Sequence, residues 1–342
     1  MTPKKAPKIS VVMGVYNGGS YLDEAISGII NQTFKDFEFI IIDDGSTDET
    51  AQLLKIWAER DSRLVILTNA TNIGLSKTLN RGIIEARGEW IAREDADDRA
   101  MPERFARQMA FLANHPTVGL LGTGCWIIDQ SGERQPPARS QPQTHREICW
   151  NSLWLNPFYH SSTLYKRELA LQHPYDATLA SAQDFELWGR LLKVTQGANL
   201  QEPLIEYRHH DERTSSSKFD QQQKIASSIV EKHLSQLMPE QPWTSAITSP
   251  LQNIVKNSWP NTVESAEDWL LLLRIFQAFE NREGRDKTLH QKLLERLALS
   301  LTNSAGVKAE RKLLTTFWKY AGLDFSNAIS KSIYNRLGKR FS

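Results

Sequence analysis

Carboxylates crowd the end of one short apolar run. Trp90-Ile91-Ala92 reads as the close of a buried strand, and Glu94, Asp95, Asp97 and Asp98 follow at once. Like charges this close destabilise a fold unless a counter-charge is present. A hard divalent cation, Mg²⁺ or Mn²⁺, supplies one, because it takes oxygen ligands and leaves room for substrate phosphates. In parallel α/β sheets ligands gather at the carboxyl ends of strands. The pattern therefore points to a metal–phosphate site at Asp95 and Asp97. The competing reading is an acidic turn, with Asp98 capping a helix that starts near Met101-Pro102-Glu103. A second acidic pair, Asp43 and Asp44, ends another apolar run in Ile42-Asp43-Asp44-Gly45-Ser46-Thr47-Asp48. Gly45 permits a tight turn and Ser46 or Thr47 suits a helix cap. Neither explains two consecutive carboxylates, whereas a carboxylate at a strand switch point can accept from a base N–H or a ribose hydroxyl. Asp184 opens a later helical pattern. There is no Gly-x-Gly-x-x-Gly and no Walker loop, so phosphates have no glycine-rich cradle and would need the metal.

These residues need a frame, and the chain supplies one. Its 342 residues are 40% hydrophobic and 24% charged with a net charge of +1, enough for two soluble domains and no general electrostatic reason to bind nucleic acid. Cys125 and Cys149 stand in no metal-type spacing and read as buried, reduced thiols of a cytoplasmic protein. No window of apolar residues is long enough for a signal peptide or a transmembrane helix. Residues 9–16, 37–42, 64–67 and 90–92 predict strands. Helical patterns lie between them: one from Ser20 and Asp23, spaced as a capping box, then 50–60 and 76–86. Strands alternating with helices imply a doubly wound, mostly parallel α/β sheet. Further on, Phe105, Met109 and Leu112 mark a helix. Residues 118–121 and 126–128 read as two strands, 129–132 as a hairpin turn and 134–144 as a mobile loop. Residues 145–153 read as helix, 156–165 as a strand holding His160, 183–192 as helix and 204–208 as a last short strand. From residue 224 only helical patterns appear, clearest over 270–279 and 289–301. The expected domains are 1–218 and a helical C-terminal domain, 219–342.

Val11-Val12-Met13-Gly14-Val15-Tyr16-Asn17, Gln32-Thr33-Phe34, Ile42 to Asp48, Asn72-Ile73-Gly74, Asn80 and Asp95-Ala96-Asp97-Asp98 together resemble the family 2 glycosyltransferases, which have the GT-A fold. The resemblance spans about the first two hundred residues and leaves the helical C-terminus uncovered. It implies a role for each matching position. Tyr16 lies against the nucleotide base, with Gly14 and Val15 framing it. Asp44 accepts from the base with Asp43 beside it, and Gly74, Lys77 and Ala96 also line the nucleotide site. Asp95 and Asp97 form the family's D-x-D, and Asp97 is the firmest ligand of Mn²⁺ or Mg²⁺. Asp184 matches the general base, although Gln183 stands where many relatives have Glu. In Tyr207-Arg208-His209-His210, His210 fits the position from which a histidine approaches the metal. His160-Ser161-Ser162 matches a common segment whose role stays open.

The implied activity is metal-dependent, inverting transfer of a sugar from a nucleotide-diphospho-sugar, UDP being the family's commonest nucleotide, to a hydroxyl of a glycan or lipid-linked acceptor. Cell-surface polysaccharide synthesis is the expected setting. A nucleotidyltransferase would need a basic glycine-rich loop after the first strand, and Tyr16-Asn17-Gly18-Gly19 has no Lys or Arg. A non-catalytic sugar-nucleotide-binding or scaffolding protein of the same fold is the alternative toward which Gln183 leans. At the C-terminus, Ile329, Ile333, Leu337 and Phe341 recur every four residues among Lys331, Arg336, Lys339 and Arg340. This suits a basic amphipathic helix resting on the inner face of the cytoplasmic membrane, or one packed on its own domain or a second subunit.

Overall fold

The computed structural model describes residues 6–135, 141–209, 219–256, 266–293 and 295. The chain packs as two compact units. The first holds the described residues up to Ser152 together with Asn156–Ala226, and the second holds Leu153–Leu155 and the described residues from Ser227 onward.

The first unit opens with β1 Ile9–Val15, α1 Leu22–Ile30, β2 Phe37–Asp43, α2 Thr50–Arg60, β3 Leu64–Thr68, α3 Leu75–Glu85 and β4 Trp90–Arg93. Every residue of β2 is buried, and every residue of β1 except Gly14, as mostly apolar strands covered on both faces should be. β1 pairs in parallel with β2 and β4, and β2 with β3. There follow β5 Arg99–Ala100, α4 Arg104–Asn114, β6 Val118–Ile128, α5 His145–Ser152, a 3₁₀ turn at His160–Ser162, β7 Leu164–Lys166, α6 Arg167–Gln172, α7 Gln183–Leu191 and β8 Gln196–Arg208. All eight strands form one sheet in the order β3-β2-β1-β4-β7-β6-β8-β5. β7 runs antiparallel to β4 and β6, and β5 antiparallel to β8, so the sheet is mixed beyond β4. Its core joins Val11, Met13, Phe39, Ile41 and Ala92 to Ile26 of α1 and Phe105 of α4.

Several local expectations change. Residues 118–128 are one strand, not two, because β6 pairs along its length with the longer β8. Residues 156–165 are not a strand: a loop and the 3₁₀ turn precede the three-residue β7. No capping box forms at Ser20, and Asp23 instead accepts from the Trp57 indole at 2.9 Å. Asp98 does not cap α4, which begins after Glu103. The loop before α5 is tied down at 141–142, where Gln201 and Asn199 donate to the carbonyls of Gln141 and Pro142.

Helix α8, Phe219–Leu237, belongs to the second unit from Ser227 onward, and that unit also contains α9 Ser245–Lys256, α10 Ala266–Glu283 and a helical stretch at 287–293. Leu234, Leu251, Ile275 and Phe279 are buried in it, as is Trp154, whose carbonyl accepts from Gln252 at 3.0 Å. Among the described residues no helix is long and apolar enough to cross a membrane.

Candidate active site

The loops that follow β1, β2 and β3 are laced into one surface by the Ile42 to Asp48 segment. Asp43 accepts from the Ser46 N–H at 2.9 Å, closing its own turn. Ser46 Oγ accepts from the Asn17 N–H at 3.0 Å, and Asn17 accepts from the Thr47 N–H at 2.9 Å. Asp44 is 3% exposed and nearly saturated. Its Oδ1 accepts from Asn69 Nδ2 (2.7 Å) and the Ile73 N–H (3.0 Å), and its Oδ2 from the Gly74 N–H (3.0 Å). A base N–H would therefore find room only at Oδ2. Gly74 precedes α3 at φ 90°, and a Cβ there would meet nothing within 4 Å, so this corner faces open space. Tyr16 is 49% exposed, which argues against a core aromatic, and Lys77 is exposed on the first turn of α3. A Cβ on Gly14 would press on Thr78 at 3.0 Å, so its absence lets α3 lie against β1. A Cβ on Gly18 would lie 3.6 Å from Ala96, so the loop after β1 also reaches the acidic end of β4.

At that end the carboxylates have protein counter-charges. Glu94 and Arg104 form a fully buried ion pair of 2.5 Å, and burial pushes the Glu94 carboxyl up to about 8 against the pull of Arg104. Asp95 pairs with the buried Arg93 and accepts from Ser161 Oγ at 2.9 Å. Asp98 is buried; it accepts from Ser161 Oγ at 2.5 Å and from the Arg208 N–H at 2.9 Å. Arg208 also donates Nε to the Asp97 carbonyl at 2.9 Å and Nη2 to Glu24 at 2.6 Å, so it holds the turn that carries Asp97. The crowding that suggested a cation is thus largely relieved within the protein. Asp95 and Asp97 remain half-buried. Among the described residues no group of three His, Cys, Asp or Glu could hold a metal. The donor set fits Mn²⁺ or Mg²⁺ only as a cation shared with substrate phosphates, with two carboxylates from the chain. His210 lies outside the described residues.

Asp184 sits half-exposed in the first turn of α7, which follows Ala182 at φ 54°. Its Oδ2 accepts from Asn156 Nδ2 at 2.6 Å. His160 links it to the acidic turn. Its Nδ1 is 3.8 Å from Asp95 Oδ2, its Nε2 is 2.8 Å from the Tyr175 hydroxyl, and its ring packs edge-to-face on Trp188 of α7, 6.2 Å between centroids. Burial, then Arg93, pushes His160 down to about 4 despite Asp95 and Asp184. Asn80 of α3 clamps the backbone N–H and carbonyl of Tyr175, each at 2.9 Å. His160 therefore lies between Asp95 and the helix that carries Asp184, while Asp44, Gly74 and Tyr16 surround a neighbouring corner. Arg93, Ser161, Tyr175 and Asn156 carried no role in the sequence reading. Arg93 had a usable signal, a lone arginine closing an apolar run just before the acidic cluster. The others sit on irregular backbone, where no periodicity speaks.

The model of the family described as Glycosyl transferase family 2 matches residues 10–173. An uncharacterized glycosyltransferase of Haemophilus influenzae is 30% identical over 240 residues, 68% of this chain and 74% of that protein. The O-antigen biosynthesis glycosyltransferase WbnJ of Escherichia coli is 33% identical over 214 residues, 61% of this chain and 82% of that protein. Among solved structures, S. aureus TarS 1-349 in complex with UDP-GlcNAc superposes with a TM-score of 0.57 at 18% identity, covering 86% of this chain and 89% of that one. On this similarity and the sheet that underlies it, the chain belongs to glycosyltransferase family 2, with the GT-A fold and with relatives in polysaccharide biosynthesis.

Proposed function

We propose that this glycosyltransferase moves a sugar from a nucleotide-diphospho-sugar, a UDP-sugar first, to a hydroxyl of a glycan or lipid-linked acceptor in cell-surface polysaccharide synthesis, with inversion. The observation that carries this reading is the placement of both aspartate sites around His160, which lies 3.8 Å from Asp95 of the half-buried acidic turn and packs edge-to-face on Trp188 of α7, the helix whose first turn carries the half-exposed Asp184. Tyr16, Gly14, Val15, Asp43, Asp44, Gly74, Lys77 and Ala96 receive the nucleotide, the open corner at Gly74 giving the base its place. Asp95 and Asp97 would hold Mn²⁺ or Mg²⁺, which when bound supplies positive charge to a departing diphosphate. Arg93 and Ser161 orient Asp95, and Arg208 orients the turn that carries Asp97. Asp184 takes the proton from the acceptor hydroxyl as that oxygen attacks the anomeric carbon. A single base on the face away from the leaving group gives direct displacement and needs no carboxylate nucleophile, unlike retaining hydrolysis. The amphipathic pattern at 329–341, outside the described residues, would bring the enzyme to a membrane that carries the acceptor.

Asp184→Asn tests the assignment. Transfer from a sugar nucleotide should fall by about 100-fold or more, the usual range for loss of a general base. The thermal shift given by nucleotide with Mn²⁺ should stay. Transfer at the wild-type rate would remove the base from Asp184.

A further inference from the structure

We propose that Asn156 is the positioning residue of the base. It holds one oxygen of the Asp184 carboxylate so that the other is presented to the acceptor hydroxyl. The inference rests on the reading of Asp184 as the base, and the geometry around Asn156 carries it beyond that reading.

Asn156 Oδ1 accepts from the Phe158 N–H at 3.2 Å. A backbone N–H can only donate, so the amide end facing it must be the oxygen. The NH₂ end is thereby directed at Asp184 Oδ2, 2.6 Å away. The segment behind Asn156 is anchored independently. The Pro157 carbonyl accepts from the buried Asn199 at 3.1 Å, and Pro157 restricts the backbone of Asn156 itself. Phe158 is 3% exposed and packs edge-to-face on Trp188, 6.0 Å between ring centroids, one turn along the helix that carries Asp184. Asn156 is exposed, yet its amide is aimed from a fixed backbone at a fixed helix. A structural residue would need only the Phe158 contact. The second contact fixes the rotation of the carboxylate plane, the freedom a base must lose to meet one hydroxyl. Oδ2 is engaged and Oδ1 is left as the proton acceptor.

The two contacts can be separated. Asn156→Asp keeps the shape and the acceptor for the Phe158 N–H, but replaces the donor with a second carboxylate facing Asp184. Asn156→Ala removes both contacts. For Asn156→Asp the nucleotide thermal shift should be unchanged, while repulsion between the two carboxylates should lower the melting temperature at neutral pH and less so at pH 5. Its kcat should fall about 10- to 100-fold, the scale of a misplaced catalytic group, with acceptor KM moving less than kcat. Asn156→Ala should lose kcat as well, and Asp184→Asn should lose no more when combined with Asn156→Asp. Full kcat in Asn156→Asp, or losses that multiply in the double variant, would overturn the inference while leaving Asp184 as base. Full transfer in Asp184→Asn would remove both readings together.

Discussion

Two aspartate pairs close the strands on either side of β1 in the same sheet and look alike as text, yet they live differently. Asp43 and Asp44 are each 3% exposed and accept mainly from backbone N–H groups, those of Ser46, Ile73 and Gly74, with Asn69 as the one side-chain donor. Asp95 is 26% exposed at its side chain and is held by Arg93 and Ser161, with His160 close by. Main-chain donors are fixed by the fold, so a carboxylate that satisfies them becomes part of the scaffold. Side-chain donors can rotate away, so a carboxylate held by them can exchange a partner for a ligand. On the proposed reading Asp44 would build the nucleotide corner by holding its loop, and Asp95 and Asp97 would be the pair that takes up a ligand.

Substitution in each pair should separate the two roles. Asp97→Asn should lower transfer more than about 100-fold, beyond the loss typical of a group that merely supports a metal ligand, with the melting temperature nearly unchanged. Asp44→Ala should do the reverse first. It removes the acceptor that ties the buried Asn69 to the exposed loop N–H groups of Ile73 and Gly74 and should cost about 1–2 kcal/mol of stability, read by denaturant unfolding. Equal stability losses in both variants would break the comparison.

A pH titration of unfolding sharpens the acidic side. His160 has a folded pKa of about 4, below its ordinary 6.5. Between those values the unfolded chain binds more protons, so this contribution to stability is complete above pH 6.5 and is lost as pH falls toward 4. It amounts to at most about 3 kcal/mol. Replacing His160 with Gln should flatten the stability profile across that window, and an unchanged slope would show that the ring does not sit buried and neutral beside Asp95. The smallest effect belongs to the nucleotide corner. Gly74→Ala meets no atom but forces φ 90° on an alanine, so it should cost about 1–2 kcal/mol and raise the donor KM while kcat stays near normal.

The first four strands and three helices were legible because each is a local unit. β1 and β2 are mostly apolar runs, and α2 and α3 repeat at helical spacing between turns rich in Gly, Asn and Asp. The second half was harder for the same reason in reverse. β7 has three residues and owes its place to β4 and β6 on either side. β8 runs for 13 residues because β6 offers it a partner, although its sequence breaks at Pro203. Such pairings repay loop closure only once distant segments meet. The candidate site divides along the same line. Asp43, Asp44, Asp95, Asp97 and Asp184 stand out by residue type and position, but their partners do not. Ser161, His160, Asn156 and Tyr175 come from turns with no period to read, and they reach the aspartates only across the folded sheet.

By itself the order of residues determined the α/β alternation, the described helices after residue 219 and the acidic residues at the strand ends, because strand burial, helical spacing and turn chemistry act between neighbours in the chain. The tertiary structure alone decided which carboxylates are spent on backbone donors and which keep a face toward solvent. That choice depends on whether N–H groups from Ile73 and Gly74, or side chains from Arg93 and Ser161, arrive at the carboxylate, and only the packing of distant loops brings them there.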